Sequence, residues 1–199
     1  DGLLYANSSV LTVKVDTVAP MPFFESALNN TWTTDVTPSI LFNITDATQN
    51  LLLNYSIYLD NVLVNTSQVT NATSTTVILS IVAEGNHTIT LEGLDEAGNT
   101  QNKSIVLLVD ATLPVVNWVS YPTNDTWSTD TTPSLTFNLT DNLDTVLNYN
   151  VYVDGAVTNA STVANNTNAI IILDALADGS HNILVEGYDE AGSRFNTSG

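Results

Sequence analysis

Apolar side chains recur at every second position in a series of short runs. In 39–45, SILFNIT, Ile40, Phe42 and Ile44 share one face while Asn43 and Thr45 take the other. In 53–59, LNYSIYL, the inward set is Leu53, Tyr55, Ile57 and Leu59. In 87–93, HTITLEG, Ile89 and Leu91 point one way and Thr88, Thr90 and Glu92 the other. A period of two with β-branched and aromatic residues predicts half-buried strands. Turn-forming pairs punctuate the runs: DN at 60–61, DG at 154–155, EGN at 84–86, DGS at 178–180 and EAG at 96–98 and 190–192. No helical periodicity of useful length occurs.

The same pattern is written twice. TWTTDVTPSILFNITD (31–46) matches TWSTDTTPSLTFNLTD (126–141), LNYSIYLDN (53–61) matches LNYNVYVDG (147–155), and GNHTITLEGLDEAGN (85–99) matches GSHNILVEGYDEAGS (179–193). VDTVAP (15–20) matches VDATLP (109–114), so the offset is 94 or 95 throughout. Two copies of one unit follow. In the first copy strands are expected at 21–25, 39–45, 53–59, a short one near 62–64, 75–82, 86–94 and 104–109. In the second they are expected at 115–119, 134–140, 147–153, a short one near 156–158, 168–173 and 181–188. About seven short strands per unit predict an all-β chain of two tandem immunoglobulin-like β-sandwich domains.

The stretches DTTPSLTFNLTD, YNVYVDG and LADGSHNILVEGYDEAG, with the VDxxxP linker, resemble the bacterial and archaeal immunoglobulin-like domains found in tandem on cell surfaces. The resemblance covers essentially the whole chain and implies the fold more firmly than any function, because this scaffold hosts many roles. In such sandwiches a tyrosine corner often stands where His87 and His181 fall here, so the two histidines are expected to cap that corner instead.

One strand is out of place. SSVLTVKVD (8–16) is a near-copy of KSIVLLVD (103–110), the strand that closes the first unit. Leu11, Val13 and Val15 align with Ile105, Leu107 and Val109, yet no unit precedes them. Conversely, residue 199 aligns with 105, so the second unit is expected to lack its own last strand. The reading is therefore an N-terminal donor strand (1–16), a first domain (17–110) and an incomplete second domain (111–199) that accepts the donor strand of another copy. Such a head-to-tail contact does not close and generates a filament. The alternative is a segment of a long tandem adhesin or surface-layer protein, in which the orphan strand is an accident of where the segment was cut.

Composition narrows the role. Three Lys and Arg against 21 Asp and Glu give a net charge of −18, which leaves no basic patch for nucleic acid. Anionic lipid is disfavoured likewise, and no apolar run approaches the ~20 residues of a membrane helix. Cysteine is absent, so disulfides and thiolate sites are excluded. About a third of the residues are Asn, Ser or Thr. Thirteen Asn-x-Ser/Thr sequons occur, at Asn7, Asn29, Asn43, Asn54, Asn65, Asn71, Asn86, Asn102, Asn124, Asn138, Asn159, Asn165 and Asn196. They predict covalent N-glycans on an extracellular, cell-surface chain; the simpler account is that Asn and Thr are common surface residues. By strand parity Asn43, Asn54, Asn86 and Asn138 face outward.

Carboxylates recur at equivalent places: Asp16 and Asp110, Asp46 and Asp141, Asp60 and Asp154, Asp95 and Asp189, Glu96 and Glu190. Grouped at a junction, such hard oxygen donors suit Ca²⁺, although turn and surface carboxylates are the plainer account; no EF-hand or nonapeptide repeat is present. Trp32 and Trp127 align and suit either sugar stacking or packing at a sandwich end. No nucleophile elbow, His-Glu-x-x-His or phosphate loop occurs, and paired histidines at one repeat position read as structural. No enzyme, no cofactor and no resident metal are expected. The expected partners are copies of the chain itself, and the expected role is that of an extracellular filament subunit serving adhesion or cell–cell contact.

Overall fold

Fifteen strands and no helix make up the described part of the chain, which in this computed structural model is residues 11–47 and 52–198. In the first repeat β1 (Met21–Phe24), β3 (Ser39–Thr45) and β6 (Thr75–Ile78) form one sheet in the order β1-β3-β6. The second sheet runs β2-β8-β7-β4-β5, from β2 (Thr31–Thr33), β4 (Leu52–Leu59), β5 (Val62–Thr70), β7 (Gly85–Leu94) and β8 (Thr100–Val109). The second repeat repeats the plan. One sheet is β13-β10-β9, built of β9 (Val115–Ser120), β10 (Ser134–Thr140) and β13 (Asn168–Ile172). The other is β12-β11-β14-β15, built of β11 (Val146–Val153), β12 (Ala156–Ala164), β14 (Ile183–Tyr188) and β15 (Arg194–Ser198). The expected all-β sandwich fold is what the chain adopts.

The alternating apolar residues make the core. Ile40, Phe42, Ile44, Leu53, Ile57, Ile89 and Leu91 are fully buried in the first repeat, and Phe137, Leu139, Leu147, Val151 and Val185 in the second. Each core is keyed by an edge-to-face aromatic pair at the same repeat position, Phe42–Tyr55 at 5.0 Å and Phe137–Tyr149 at 5.1 Å. Gly187 on β14 lets β9 and β10 close over it: a Cβ there would lie 2.5 Å from Leu139 Cδ2 and 3.2 Å from Val116 Cγ2. The chain divides into two compact units. One holds Ile40–Val77 and Ile89–Ser104 with the chain up to Ser26; the other holds Ala27–Ser39, Ile78–Thr88 and Ile105–Gly199.

Four features depart from the sequence expectation. The strands expected near 62–64 and 156–158 are not short. β5 and β12 each run nine residues and pair along the whole of β4 and β11. Two-residue turns with both central φ angles positive join them, Asp60 and Asn61 at 49° and 67°, Asp154 and Gly155 at 52° and 79°. Such a turn matches the twist of a hairpin and drives pairing beyond what side-chain alternation reveals. Each hairpin carries a bulge at the same place, between Ile57 and Tyr58 and between Val151 and Tyr152. β6 stops at Ile78 although Leu79 and Val82 stay buried, so the burial pattern outlasts the ladder expected to 82.

β2 was not foreseen. It pairs parallel to the end of β8, Thr31 with Leu107, Trp32 with Leu108 and Thr33 with Val109. The second repeat does not lack its closing strand altogether. β15 pairs antiparallel to β14, from Tyr188↔Arg194 to Leu184↔Ser198. It corresponds to Thr100–Ser104, the half of β8 whose side chains are all exposed. Only the apolar half, the equivalent of Ile105, Leu107 and Val109, is without a counterpart on the second sandwich among the described residues.

Candidate functional site

Ile105, Leu107 and Val109 are 7%, 0% and 0% exposed, because the second half of β8 lies between β2 and β7 and plugs the sandwich. At the matching place in the second repeat there is an open groove of about 1090 Å³. Trp118, Leu135, Leu176 and Ile183 supply its apolar wall, and Trp127 and His181 stand at its margins. The two repeats differ at this place in burial and in strand length. Ile183 and Leu176 are only partly buried, whereas their equivalents Ile89 and Val82 are 0% and 2% exposed. β14 begins at Ile183, whereas β7 begins at Gly85, the equivalent of Gly179. Residues 126–128, the equivalent of β2, form no strand, and Trp127 is 91% exposed. Trp32, with its strand formed, is half-buried and donates from Nε1 to Glu190 Oε2 at 2.9 Å.

Leu11, Val13 and Val15 are 85%, 72% and 80% exposed, and residues 11–20 join no sheet. The start of the expected donor segment, residues 1–10, lies outside the described residues, as does the sequon Asn7. Leu11, Val13 and Val15 thus stay exposed, with the alternation of the strand that fills the first seam, whereas Asp16 is tied to the first repeat, its carbonyl accepting from Asn99 Nδ2 at 3.3 Å.

The recurring carboxylates do come together. Asp110, Asp141, Asp144 and Asp189 each place one oxygen within 4.8 Å of those of the other three, and Asp16, Asp46 and Asp95 do the same in the first unit. Asp144 does not stand out by repetition, because the matching position of the first repeat is Gln49 or Asn50. Asp110, Asp144 and Asp189 are 2%, 9% and 3% exposed. Burial and the neighbouring Asp141, Asp110 and Asp189 push the Asp144 carboxyl up to about 6. Burial, then Asp141, raises Asp110 as well. The loop is held by Asn165, whose Nδ2 donates to the carbonyls of Asp141 and Asp144, both at 2.7 Å, while its Oδ1 accepts from Asp141 N at 3.3 Å. Asn71 grips Asp46 in the same way, donating to its carbonyl at 2.8 Å and accepting from its N–H at 3.0 Å.

That geometry sorts the sequons. Asn29, Asn86, Asn102, Asn124 and Asn196 are exposed. Asn43, Asn54, Asn65, Asn71, Asn138, Asn159 and Asn165 are half-buried. Asn43 donates to Glu25, and Asn138 donates to Asn168 at 3.3 Å and accepts from Asn117 at 3.1 Å. Asn165 spends both Nδ2 hydrogens on carbonyls, so a glycan there requires the latch to open. His87 and His181 each hold the carbonyl four residues earlier through Nε2 at 2.9 Å, and His181 Nδ1 also meets Asp154 Oδ2 at 2.7 Å.

No protein-family profile and no curated protein sequence matches the chain. Solved structures do. The fibronectin(III)-like modules of Clostridium thermocellum CbhA are similar at 17% identity and a TM-score of 0.53, covering 89% of this chain and 91% of that one. This likeness bears on the fold. Looser likenesses are to the BSP domain of a biofilm-associated protein, at 15% identity, TM-score 0.33, and 90% and 29% coverage. A Bacteroides ovatus glucan-utilisation protein, SGBP-B, follows at 14% identity, TM-score 0.36, and 94% and 47% coverage.

Proposed function

We propose that the chain is a structural building block of an extracellular, N-glycosylated surface polymer, serving adhesion or cell–cell contact, in which residues 8–16 of one copy fill the open seam of the second sandwich of the next. The observation that carries this reading is the pairing of two unsatisfied features. One is a groove bounded by Trp118, Leu176 and Ile183. The other is an exposed segment whose Leu11, Val13 and Val15 repeat the spacing of Ile105, Leu107 and Val109. Covering three apolar side chains contributes about 1.5–3 kcal/mol each, and each ladder hydrogen bond adds about 0.5–1.5 kcal/mol. The contact is head to tail, so each added copy presents a fresh groove. The chemistry of the chain supports a structural role: its repeated groups sit in turns and latches rather than around a nucleophile.

The decisive comparison is between the full chain and one lacking residues 1–16, followed by sedimentation and electron microscopy. The full chain should form filaments and the truncated chain should remain short. A synthetic peptide of residues 8–16 should raise the melting temperature of the truncated chain, and a peptide with Val13→Asp should not. Filaments of unchanged length from the truncated chain would sink the proposal. A second reading, favoured by the two consecutive repeats of the chain itself, is a stretch of a longer surface protein whose next residues fill the seam in cis. It requires monomers at every concentration and no effect of the peptide once those residues are present.

A further inference from the structure

Four carboxylates around one point in a chain of net charge −18 need an explanation. The cluster Asp110, Asp141, Asp144 and Asp189 lies wholly within the second unit. Turn chemistry accounts for part of it: Asp110 Oδ1 accepts from Thr112 N at 3.2 Å, Asp141 Oδ1 from Leu143 N at 2.9 Å, and Asp189 Oδ1 from Ser193 N at 2.8 Å. It does not account for the other oxygens. Oδ2 of Asp141, of Asp144 and of Asp189 are each buried with no hydrogen-bond partner. Asp144 and Asp189 are more than nine-tenths buried as whole residues. An unpartnered buried carboxylate oxygen is costly, and three beside one another are costlier. Nor does any Lys or Arg among the described residues form an ion pair with the cluster. The chain has three Lys and Arg residues, Lys14, Lys103 and Arg194, and Arg194 is engaged with Glu186.

We propose that Asp110, Asp141, Asp144 and Asp189 bind a single Ca²⁺ ion, with Asn165 as the positioning residue that holds the Asp141–Asp144 loop to it. The donor set is all hard oxygen, and Ca²⁺ takes 6–8 such ligands at about 2.3–2.6 Å. Oxygens on a sphere of that radius lie no more than about 5 Å apart, which agrees with their mutual separation of at most 4.8 Å. Among the described residues of the first unit, Asp16, Asp46 and Asp95 make a three-carboxylate cluster of the same design one repeat earlier. Asp110 directly follows β8 and precedes the linker residues Ala111 and Thr112, so the ion would tie the linker to the β10–β11 loop. This inference is independent of how the seam is filled.

The test is calorimetric titration of the EDTA-treated full chain with CaCl₂, with MgCl₂ as the control, alongside Asp144→Asn and the exposed-site variant Asp178→Asn. The wild-type chain should bind Ca²⁺ and melt several degrees higher with it. Asp144→Asn should remove one site, and Asp178→Asn none. Because Asp144→Asn relieves repulsion, its metal-free form should melt no lower than the metal-free wild type. An absence of binding heat, an unchanged number of sites in Asp144→Asn, or an identical response to Mg²⁺ would each overturn the proposal. A metal-free Asp144→Asn that melts lower would also overturn it, since the carboxylate would then be a structural group in its own right.

Discussion

His181 shows how much one side chain decides. Both ring nitrogens meet acceptors, Asp154 Oδ2 at 2.7 Å and Ala177 O at 2.9 Å, an arrangement that only the imidazolium satisfies. Its pKa is accordingly raised, chiefly by the Asp154 bond, and that of Asp154 is lowered, first by the Asn182 N–H and then by His181. The histidine contribution is full below its unfolded value of about 6.5 and is lost as the pH rises through the raised folded value. The aspartate contribution is present above about 3.9 and is lost as the pH falls through the lowered folded value. Stability from this pair is thus greatest in mildly acidic solution. Thermal melts across pH should show a decline as the pH rises above about 6.5 that Asp154→Asn flattens; an unchanged profile in that variant would count against the ion pair. At this scale the sequence was partly readable. The histidines and recurring carboxylates stand out by repetition, whereas the latch role of Asn71 and Asn165 does not. A sequon and a loop latch are written with the same residues, and only the carbonyls within reach tell them apart.

Among the elements, legibility tracked burial. β3 and β10 fall on the residues that alternation assigns, because every second side chain in them is buried. β5, β12 and the first half of β8 present mostly exposed side chains, so no period marks them, and turn geometry and backbone pairing set their length instead. β2 is three residues long and exists through its parallel partner, which no local pattern announces. The expected gap beside β14 is narrower than the alternation implies: half of the closing strand is in place as β15. Backbone amides report the difference. In β7 the segment from Gly85 is laddered beside β8, whereas residues 179–181 precede β14 without a strand partner. Hydrogen exchange at 179–181 should run roughly tenfold or more faster than at 85–87. Addition of the 8–16 peptide should slow it. Equal rates in the two repeats would mean that the groove is not open in solution.

For the whole molecule, the two repeats share one design, with the last strand filled in one and, among the described residues, half-filled in the other. No helix long and apolar enough to cross a membrane occurs among the described residues. The parallel pairing of β2 with the end of β8 has a mechanical consequence. β8 runs directly into the linker, so tension on the linker pulls β8 along its own axis. Tension from the N-terminal side pulls β2 the opposite way, and the hydrogen bonds between the two strands are loaded side by side rather than one after another. A patch loaded in shear resists until all its bonds yield together, whereas a hairpin pulled from its open end unzips. Single-molecule stretching should therefore find a markedly lower unfolding force in a Thr33→Pro variant than in the intact chain, because the Thr33 carbonyl accepts from Asp110 N at 3.0 Å and its N–H lies on the same side. An unchanged force would place the resistance elsewhere. If a neighbour's strand lies against residues 126–128 as β8 lies against β2, each joint between copies would inherit the same shear geometry and bear load as well as the folded domains it connects.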